Sequence, residues 1–220
     1  MNIALHIRAL KESLPPQVRV VAVSKFHPIE QIREAYGAGQ RLFGESRVQE
    51  LVEKQRKLPV DIEWHFIGSL QRNKVKQIAP FVTLIHSLDS ERLMREVEKQ
   101  GAACGRVIAC LLQVHIAEEE TKSGFSPDEC RQFLEEGSWK ECSHLQIAGM
   151  MGMATYTDDR EQVRREFRLL RELFQESKAK YFADDSAFRE LSMGMSGDYP
   201  IAIEEGSTLI RVGTMIFGER

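Results

Sequence analysis

The chain has 220 residues, long enough for one substantial hydrophobic core, and 42% of them are hydrophobic. Its 30 basic and 33 acidic residues leave a net charge of −3, which excludes the strongly basic surface expected for nucleic-acid or anionic-membrane binding. No apolar run approaches the roughly 20 residues that span a bilayer. The four cysteines form no C-x-x-C pair and indicate reduced thiols, so we expect a cytoplasmic protein.

Strand-like and helix-like segments alternate along the chain, after an amphipathic helix predicted over residues 1–14. Hydrophobic runs predict strands at residues 18–25, 42–45, 63–68, 83–88, 107–116, 145–153, 190–195 and 208–212. A capping box with Ser126 and Glu129 predicts one helix start, and Gly101 is expected to end the helix that begins near Ser90. Eight strands, each followed by a helix or helical turn, predict a (β/α)₈ barrel in one domain over residues 1–220. An open, doubly wound sheet has the same alternation and remains the alternative.

Lys25 is the most informative single residue. It ends the β-branched run of residues 18–25, which is typical of a buried parallel strand. The carboxyl ends of such strands form the ligand-binding face of barrels and open sheets, where an amine can form a Schiff base with an aldehyde. A strand-end lysine more commonly extends its ammonium into water, so this segment alone leaves both interpretations open.

The last two predicted strands end in small and polar residues. Ser196 and Gly197 follow the seventh strand, and Gly213 and Thr214 follow the eighth. Small residues let backbone N–H groups approach an anion, and in barrels these two loops often bind phosphate. Either glycine could instead serve only a tight turn. Both loops lie beside the first strand of a closed barrel, so together with Lys25 they favour a phosphate-bearing aldehyde as ligand.

Six motifs in order carry a resemblance to a known family. They are VAVSK (21–25), FGESRVQE (43–50), WHFIGSLQRNK (64–74), TKSG (121–124), LSMGMS (191–196) and RVGTMIFG (211–218). Together they resemble the pyridoxal 5′-phosphate (PLP) homeostasis family, the YggS/PROSC-type PLP-binding proteins, over nearly the whole chain. The resemblance implies a single barrel like the N-terminal domain of alanine racemase, binding PLP without demonstrated catalysis and acting in vitamin B6 and amino-acid homeostasis.

The resemblance also implies roles for particular residues. Lys25 matches the family's Schiff-base lysine, Arg211 matches the arginine beside the pyridine nitrogen, and the phosphate would be bound by Ser196, Gly213 and Thr214, with Gly197 beside them. Arginine keeps its own proton and leaves the ring a weak electron sink, which disfavours carbanion chemistry. Two positions depart from the family pattern: Ser46 and His115 stand where asparagine is usual. If the family's asparagine contacts the cofactor ring, Ser46 is a shorter substitute for it.

Other candidate residues carry weaker signals. His65 could face the barrel lumen near a cofactor or could be a hydrogen-bonded core histidine. The histidines show no metal-ligand spacing, and we predict no metal. Residues 118–124 are predicted to form a solvated loop at the ligand-facing rim, and a lid or a partner surface is the alternative there.

The sequence thus favours a PLP carrier over an enzyme. The competing hypothesis is a PLP-dependent amino-acid racemase, which needs an acid or base on each face of the substrate Cα. Lys25 could supply one, and alanine racemases take the other from a tyrosine of a partner's second domain. A barrel that binds another sugar phosphate is the third hypothesis. We expect a monomer, with PLP-dependent apoenzymes or a regulatory protein as partners.

Overall fold

The computed structural model describes residues 2–118 and 123–219 as eight parallel strands closed into a barrel. Neighbouring strands pair in chain order from β1 to β8, and β8 pairs with β1 to close the barrel. The (β/α)₈ prediction is confirmed and the open-sheet alternative is wrong. Residues 119–122, including Thr121 and Lys122 of the predicted rim loop, lie outside the described residues.

The elements follow one another in the order the sequence predicts. The strands are β1 Arg19–Val23, β2 Leu42–Glu45, β3 Glu63–Phe66, β4 Leu84–Leu88, β5 Ile108–Gln113, β6 Leu145–Met151, β7 Glu190–Ser192 and β8 Leu209–Val212. The helices are α1 Ile3–Ser13, α2 Ile29–Gly37, α3 Val48–Lys57, α4 Val75–Ile78, α5 Glu91–Cys104, α6 Pro127–Glu136, α7 Arg160–Tyr181, α8 Tyr199–Glu204 and α9 Thr214–Phe217.

Side-chain alternation along the strands divides the core into two layers. The larger layer lies between the barrel and the helices. The smaller one fills the lumen with Val21, Leu84, Leu111, Ala148, Met151 and Leu209. Alternate residues of most strands therefore point into the lumen, and in β1 the same phase continues beyond the strand end toward the site.

The helix boundaries confirm the capping box and correct one glycine. Ser126 Oγ accepts the N–H of Glu129, and the Glu129 carboxylate accepts the N–H of Ser126. Gly101, in contrast, lies inside α5, and the left-handed residue that ends this helix is Gly105. A Cβ on Gly101 would lie 2.6 Å from the carbonyl oxygen of His144. This glycine is required because α5 packs closely against the start of β6, and not because the helix stops there.

Several strands are shorter than predicted at their carboxyl ends. The first ends at Val23, so Lys25 lies in the turn beyond it, and the fifth ends at Gln113. These extra residues leave the sheet and form the site instead. Within the described residues, no helix is long and apolar enough to cross a membrane.

Candidate functional site

A cavity of about 640 Å³ opens at the carboxyl end of the barrel. All seven residues that the sequence singled out for cofactor binding line it: Lys25, Ser46, Ser196, Gly197, Arg211, Gly213 and Thr214. They come from the ends of β1, β2, β7 and β8, which are consecutive around the closed barrel. Closure is what brings residues almost 190 positions apart in sequence into one site.

Lys25 reaches the cavity because it continues the inward phase of β1. It stands two residues after Val23 and is half-buried in a tight turn. The next residue, Phe26, has φ of 67°, the left-handed region that is strained for a bulky side chain. The N–H of Phe26 donates to Glu50 Oε1 at 2.6 Å, which helps to hold the turn in this conformation.

A buried charge network lies beneath that turn. Lys54 Nζ donates to the carbonyl oxygen of Ser24 at 2.7 Å, to Glu45 Oε1 at 2.8 Å and to Glu50 Oε1 at 2.6 Å. Ser24 Oγ also donates to Glu45 Oε1 at 2.6 Å. Burial raises the pKa of the Glu45 carboxyl, although the Lys54 ammonium opposes the shift. One ammonium on α3 thus connects the β1 turn to the end of β2, and the sequence did not predict this network.

The loops after β7 and β8 form what we call the β7–β8 cup: Ser196, Gly197, Gly213 and Thr214. Within the described part of the chain, the backbone N–H groups of Ser196, Gly197 and Thr214 donate to no protein acceptor. A Cβ on Gly213 would lie 3.2 Å from the carbonyl oxygen of Val23, which is a tight contact where β8 passes the end of β1. Unpaired amides on a cavity wall form an anion-binding surface.

Asp198 closes the far side of the cup. Its Oδ1 accepts the N–H of Met195 at 2.5 Å, which fixes the loop that presents Ser196 and Gly197. Burial raises the pKa of this carboxyl, and the nearby charge of Arg211 opposes the shift. Asp198 also lines the cavity, and sequence reasoning did not single it out.

Arg211 lies on β8 with its guanidinium buried at the floor of the cavity. Nη1 donates to the carbonyl oxygen of Ser192 at 2.9 Å and to Ser192 Oγ at 2.6 Å, while Nη2 donates to the carbonyl oxygen of Gly152 at 3.0 Å. Burial lowers the pKa of Arg211 to about 10, so the side chain remains charged at neutral pH. Its hydrogen-bond partners are neutral oxygens, and the nearby carboxyl of Asp198 opposes the lowering of its pKa.

Two histidines continue this polar chain across the lumen. His65 Nδ1 lies 2.9 Å from His86 Nε2, and His86 Nδ1 lies 3.0 Å from Ser192 Oγ. His65 is therefore a hydrogen-bonded histidine of the lumen and does not line the cavity. Sequence reasoning missed His86 and Ser192. Strand alternation could have found them, because both stand at lumen-facing positions of their strands.

The two positions that depart from the family pattern lie in different places. Ser46 lines the main cavity directly after β2. His115 lines a neighbouring cavity of about 290 Å³, which shares Met153, Ala154, Tyr156 and Met195 with the main one. Over residues 2–118 and 123–219, no group of three His, Cys, Asp or Glu side chains is placed to hold a metal ion.

The fold and this cavity define a class of protein. The family model for the N-terminal domain of alanine racemase matches residues 1–220. An alanine racemase of Clostridium difficile superposes with a TM-score of 0.77 over all of this chain and 57% of its own, at 12% identity, which establishes a shared fold alone.

More similar relatives specify the family within that class. The chain is 42% identical over 203 residues to the pyridoxal phosphate homeostasis protein of Aquifex aeolicus, covering 92% of this chain and 87% of the relative. The protein of the same name from Synechocystis is 38% identical and covers 94% of each chain. The structure of PipY from Synechococcus elongatus with PLP bound has a TM-score of 0.88 at 38% identity, covering 98% of this chain and all of PipY. The chain belongs to the pyridoxal phosphate homeostasis protein family.

Proposed function

We propose that this chain binds PLP in the cavity at the carboxyl end of the barrel and acts in vitamin B6 and amino-acid homeostasis, without catalysing a reaction of its own. The observation that carries the proposal is the convergence of an amine, an anion cup and a buried guanidinium on one cavity. The close relative PipY, solved with PLP bound, supports the choice of ligand.

The donor groups of the cavity fit PLP in chemistry and number. The β7–β8 cup offers unpaired N–H groups and the hydroxyls of Ser196 and Thr214 to the phosphate. Lys25 offers an amine to the aldehyde, and Arg211 offers N–H donors to the pyridine nitrogen. Bound PLP supplies an aldehyde carbon that amines attack and a ring that withdraws electrons.

The side chains of the cavity support retention more than turnover. The Lys25 amine would attack the aldehyde carbon, so that a C=N bond replaces the C=O bond and the oxygen leaves as water with two protons from nitrogen. Arg211 is charged and keeps its proton, so it would accept no proton from the ring and give none to it. The residues of this site would therefore hold PLP as a Schiff base with little support for carbanion chemistry.

One observation favours the racemase alternative. Tyr156 lines the same cavity and could in principle supply a second acid or base. Its side chain is 99% exposed, however, and racemisation needs the second group held against the substrate Cα. We therefore propose a carrier, and the exchange experiment in the Discussion separates the two functions.

The proposal includes location, assembly and partners. We infer that the protein is a cytoplasmic monomer whose partners are PLP-dependent apoenzymes, to which it delivers PLP, or a regulatory protein that binds it. The four cysteines support a reducing compartment, because all are free thiols and Cys110 and Cys130 are buried. Light scattering coupled to size exclusion, with and without PLP, measures the oligomeric state directly.

The central experiment combines a spectrum with a covalent map. The purified protein, incubated with PLP and dialysed, is expected to keep a visible absorption band that borohydride abolishes. Mass spectrometry after reduction should find the PLP adduct on Lys25, and Lys25→Ala should lose both band and adduct after dialysis. Lys74→Ala, which changes another lysine of the family motifs, is the matched control. A colourless parent protein, or an adduct on any other lysine, contradicts the proposal.

A further inference from the structure

The lumen of the barrel contains a continuous polar chain that ends at the cavity. We define the lumen chain as His65 on β3, His86 on β4, Ser192 on β7 and Arg211 on β8. The three contacts that join these side chains measure 2.9, 3.0 and 2.6 Å. All four residues are at least nine-tenths buried, and apolar side chains such as Val21, Leu111 and Met151 share the lumen with them. Buried polar groups are costly unless paired, so each contact constrains the next residue.

Arg211 uses only part of its donor set on the protein. Its guanidinium has five N–H groups, and three of them donate to Ser192 and Gly152. The Nε–H and the second N–H of Nη2 have no acceptor within the described residues, and the side chain lines the cavity. The contacts to Ser192 and Gly152 therefore determine where the two remaining donors point.

The direction of the hydrogen bonds follows from counting protons. Arg211 can only donate, so Ser192 Oγ accepts from it. The hydroxyl proton of Ser192 must then go to another acceptor, and His86 Nδ1 at 3.0 Å is the one available among the described residues. His86 accordingly has its proton on Nε2 and donates it to His65 Nδ1. A hydroxyl that donates to imidazole is a stronger acceptor for the guanidinium, because hydrogen bonds in a chain polarise one another.

Both imidazoles have to be neutral for this arrangement. Burial lowers the pKa of His65 to about 3. It also lowers the pKa of His86 well below the usual range, and the charges of His65 and Arg211 add to that effect. A neutral imidazole has one N–H donor and one acceptor nitrogen. The donors of the lumen chain can therefore all point the same way, and neither nitrogen between the two rings lacks a partner.

We propose that Ser192 and His86, held in turn by His65, are positioning residues that fix the guanidinium of Arg211 against the ring nitrogen of PLP. The inference rests on the proposed function, because it concerns how this cavity holds PLP. It assigns a role to three residues that do not themselves line the cavity.

The decisive variants remove one contact at a time. Ser192→Ala deletes the hydroxyl that joins Arg211 to His86, and His86→Leu removes the imidazole behind it. His86→Asn restores a hydrogen-bonding group near the place of Nδ1. Ser87→Ala removes a buried hydroxyl from the same strand as His86 that makes no hydrogen bond in the described structure. Leu111→Ala weakens the apolar lumen without touching the chain.

PLP binding and its spectrum are the first readouts. We expect Ser192→Ala and His86→Leu to weaken PLP retention by about tenfold and to shift the pH titration of the visible band. His86→Asn should recover part of the affinity, and Ser87→Ala and Leu111→Ala should match the parent. In an Arg211→Gln background, Ser192→Ala should have no further effect, because its action passes through Arg211. If His86→Leu does not fold, the smaller substitution Ser192→Ala tests the proposal by itself.

A second readout needs no PLP. Nitrogen-15 NMR of the PLP-free protein should find His86 protonated at Nε2 and unprotonated at Nδ1. Each of three results would overturn the inference. They are protonation of His86 at Nδ1, a PLP affinity of Ser192→Ala within twofold of the parent, and a loss of PLP affinity on Ser192→Ala that is as large in the Arg211→Gln background as in the parent. The proposed function would survive all three, since none of them concerns whether the parent binds PLP at Lys25 or turns over an amino acid.

Discussion

Val21 and Arg211 stand opposite each other where β1 and β8 pair to close the barrel. Lys25 continues the inward phase of Val21 four residues later, and Arg211 itself lines the cavity. The amine and the guanidinium are thus set by the same pair of strands, the first and the last of the chain. The site depends on barrel closure. Any change that weakens the pairing of β1 with β8 should therefore displace the Lys25 amine and the Arg211 guanidinium together.

The β7–β8 cup makes a prediction about PLP affinity. Ser196→Ala and Thr214→Ala should each remove one hydrogen bond to the phosphate and weaken PLP retention by about 1.5–3 kcal/mol, roughly ten- to a hundredfold. Folding should not change, because both side chains lie at the cavity rim. Thr157→Ala, another hydroxyl that lines the cavity, is the control. Equilibrium dialysis measures the effect, and parent-like affinity in both cup variants would place the phosphate elsewhere.

The buried network beneath Lys25 makes a prediction about stability. Lys54→Met should destabilise the fold by about 3–5 kcal/mol, because it leaves the Glu45 carboxylate buried without its counter-charge. Urea unfolding measures the change. Lys57→Met, which breaks an exposed pair with Glu53 on the same helix, should stay within about 1 kcal/mol of the parent. Equal effects of the two substitutions would show that burial of the ion pair is unimportant.

The same variant tests the link between α3 and the site. Lys54 also donates to the carbonyl oxygen of Ser24, and its partner Glu50 accepts the N–H of Phe26. Under conditions where Lys54→Met is fully folded, its PLP retention should still be weaker than that of the parent. Unchanged retention in the folded variant would mean that the β1 turn is held by other contacts.

The lumen histidines predict a loss of stability in acid. The pKa of His65 is lowered to about 3 in the folded protein, so below its usual value of 6.5 only the unfolded chain takes up the proton. Stability present at neutral pH should therefore be lost as pH falls from about 6.5 toward 3, by about 1.4 kcal/mol per pH unit for each histidine of this kind. His86 adds in the same direction.

A difference measurement isolates this contribution. The charge of Arg19 lowers the pKa of His65, and the charge of Arg211 lowers the pKa of His86, which faces His65. Urea unfolding of the parent and of His65→Gln at pH 7, 6, 5 and 4.5 should give a flatter profile for the variant. Parallel profiles for the two proteins would show that His65 does not titrate on unfolding.

The carrier hypothesis predicts very slow exchange of an amino-acid proton. With Arg211 at the ring nitrogen, the PLP-loaded protein should exchange the Cα proton of L-alanine into heavy water far below the roughly 1 s⁻¹ that is ordinary for enzymes. Proton NMR follows the exchange. Tyr156→Phe should leave the rate unchanged. Enzyme-like exchange that disappears in Tyr156→Phe would instead support the racemase function.

The sequence determined the order and kind of the elements, because hydrophobic periodicity and capping are local. It located β2 to the residue, and strand-end position together with family motifs singled out Lys25 and Arg211. The prediction that α5 ends at Gly101 was wrong, because a glycine near the end of a helical pattern usually marks the helix terminus. Only packing against His144 reveals that the residue is needed for close approach.

Tertiary structure alone decided closure and the partners of the site residues. Periodicity is the same in an open sheet and a barrel, so the β1–β8 pairing that unites Lys25 with Arg211 could not be read locally. The contact between His86 and Ser192 spans 106 residues, and the Lys54 network joins three elements. Such contacts depend on which residues share a face after the strands close, and the register of the whole barrel sets that.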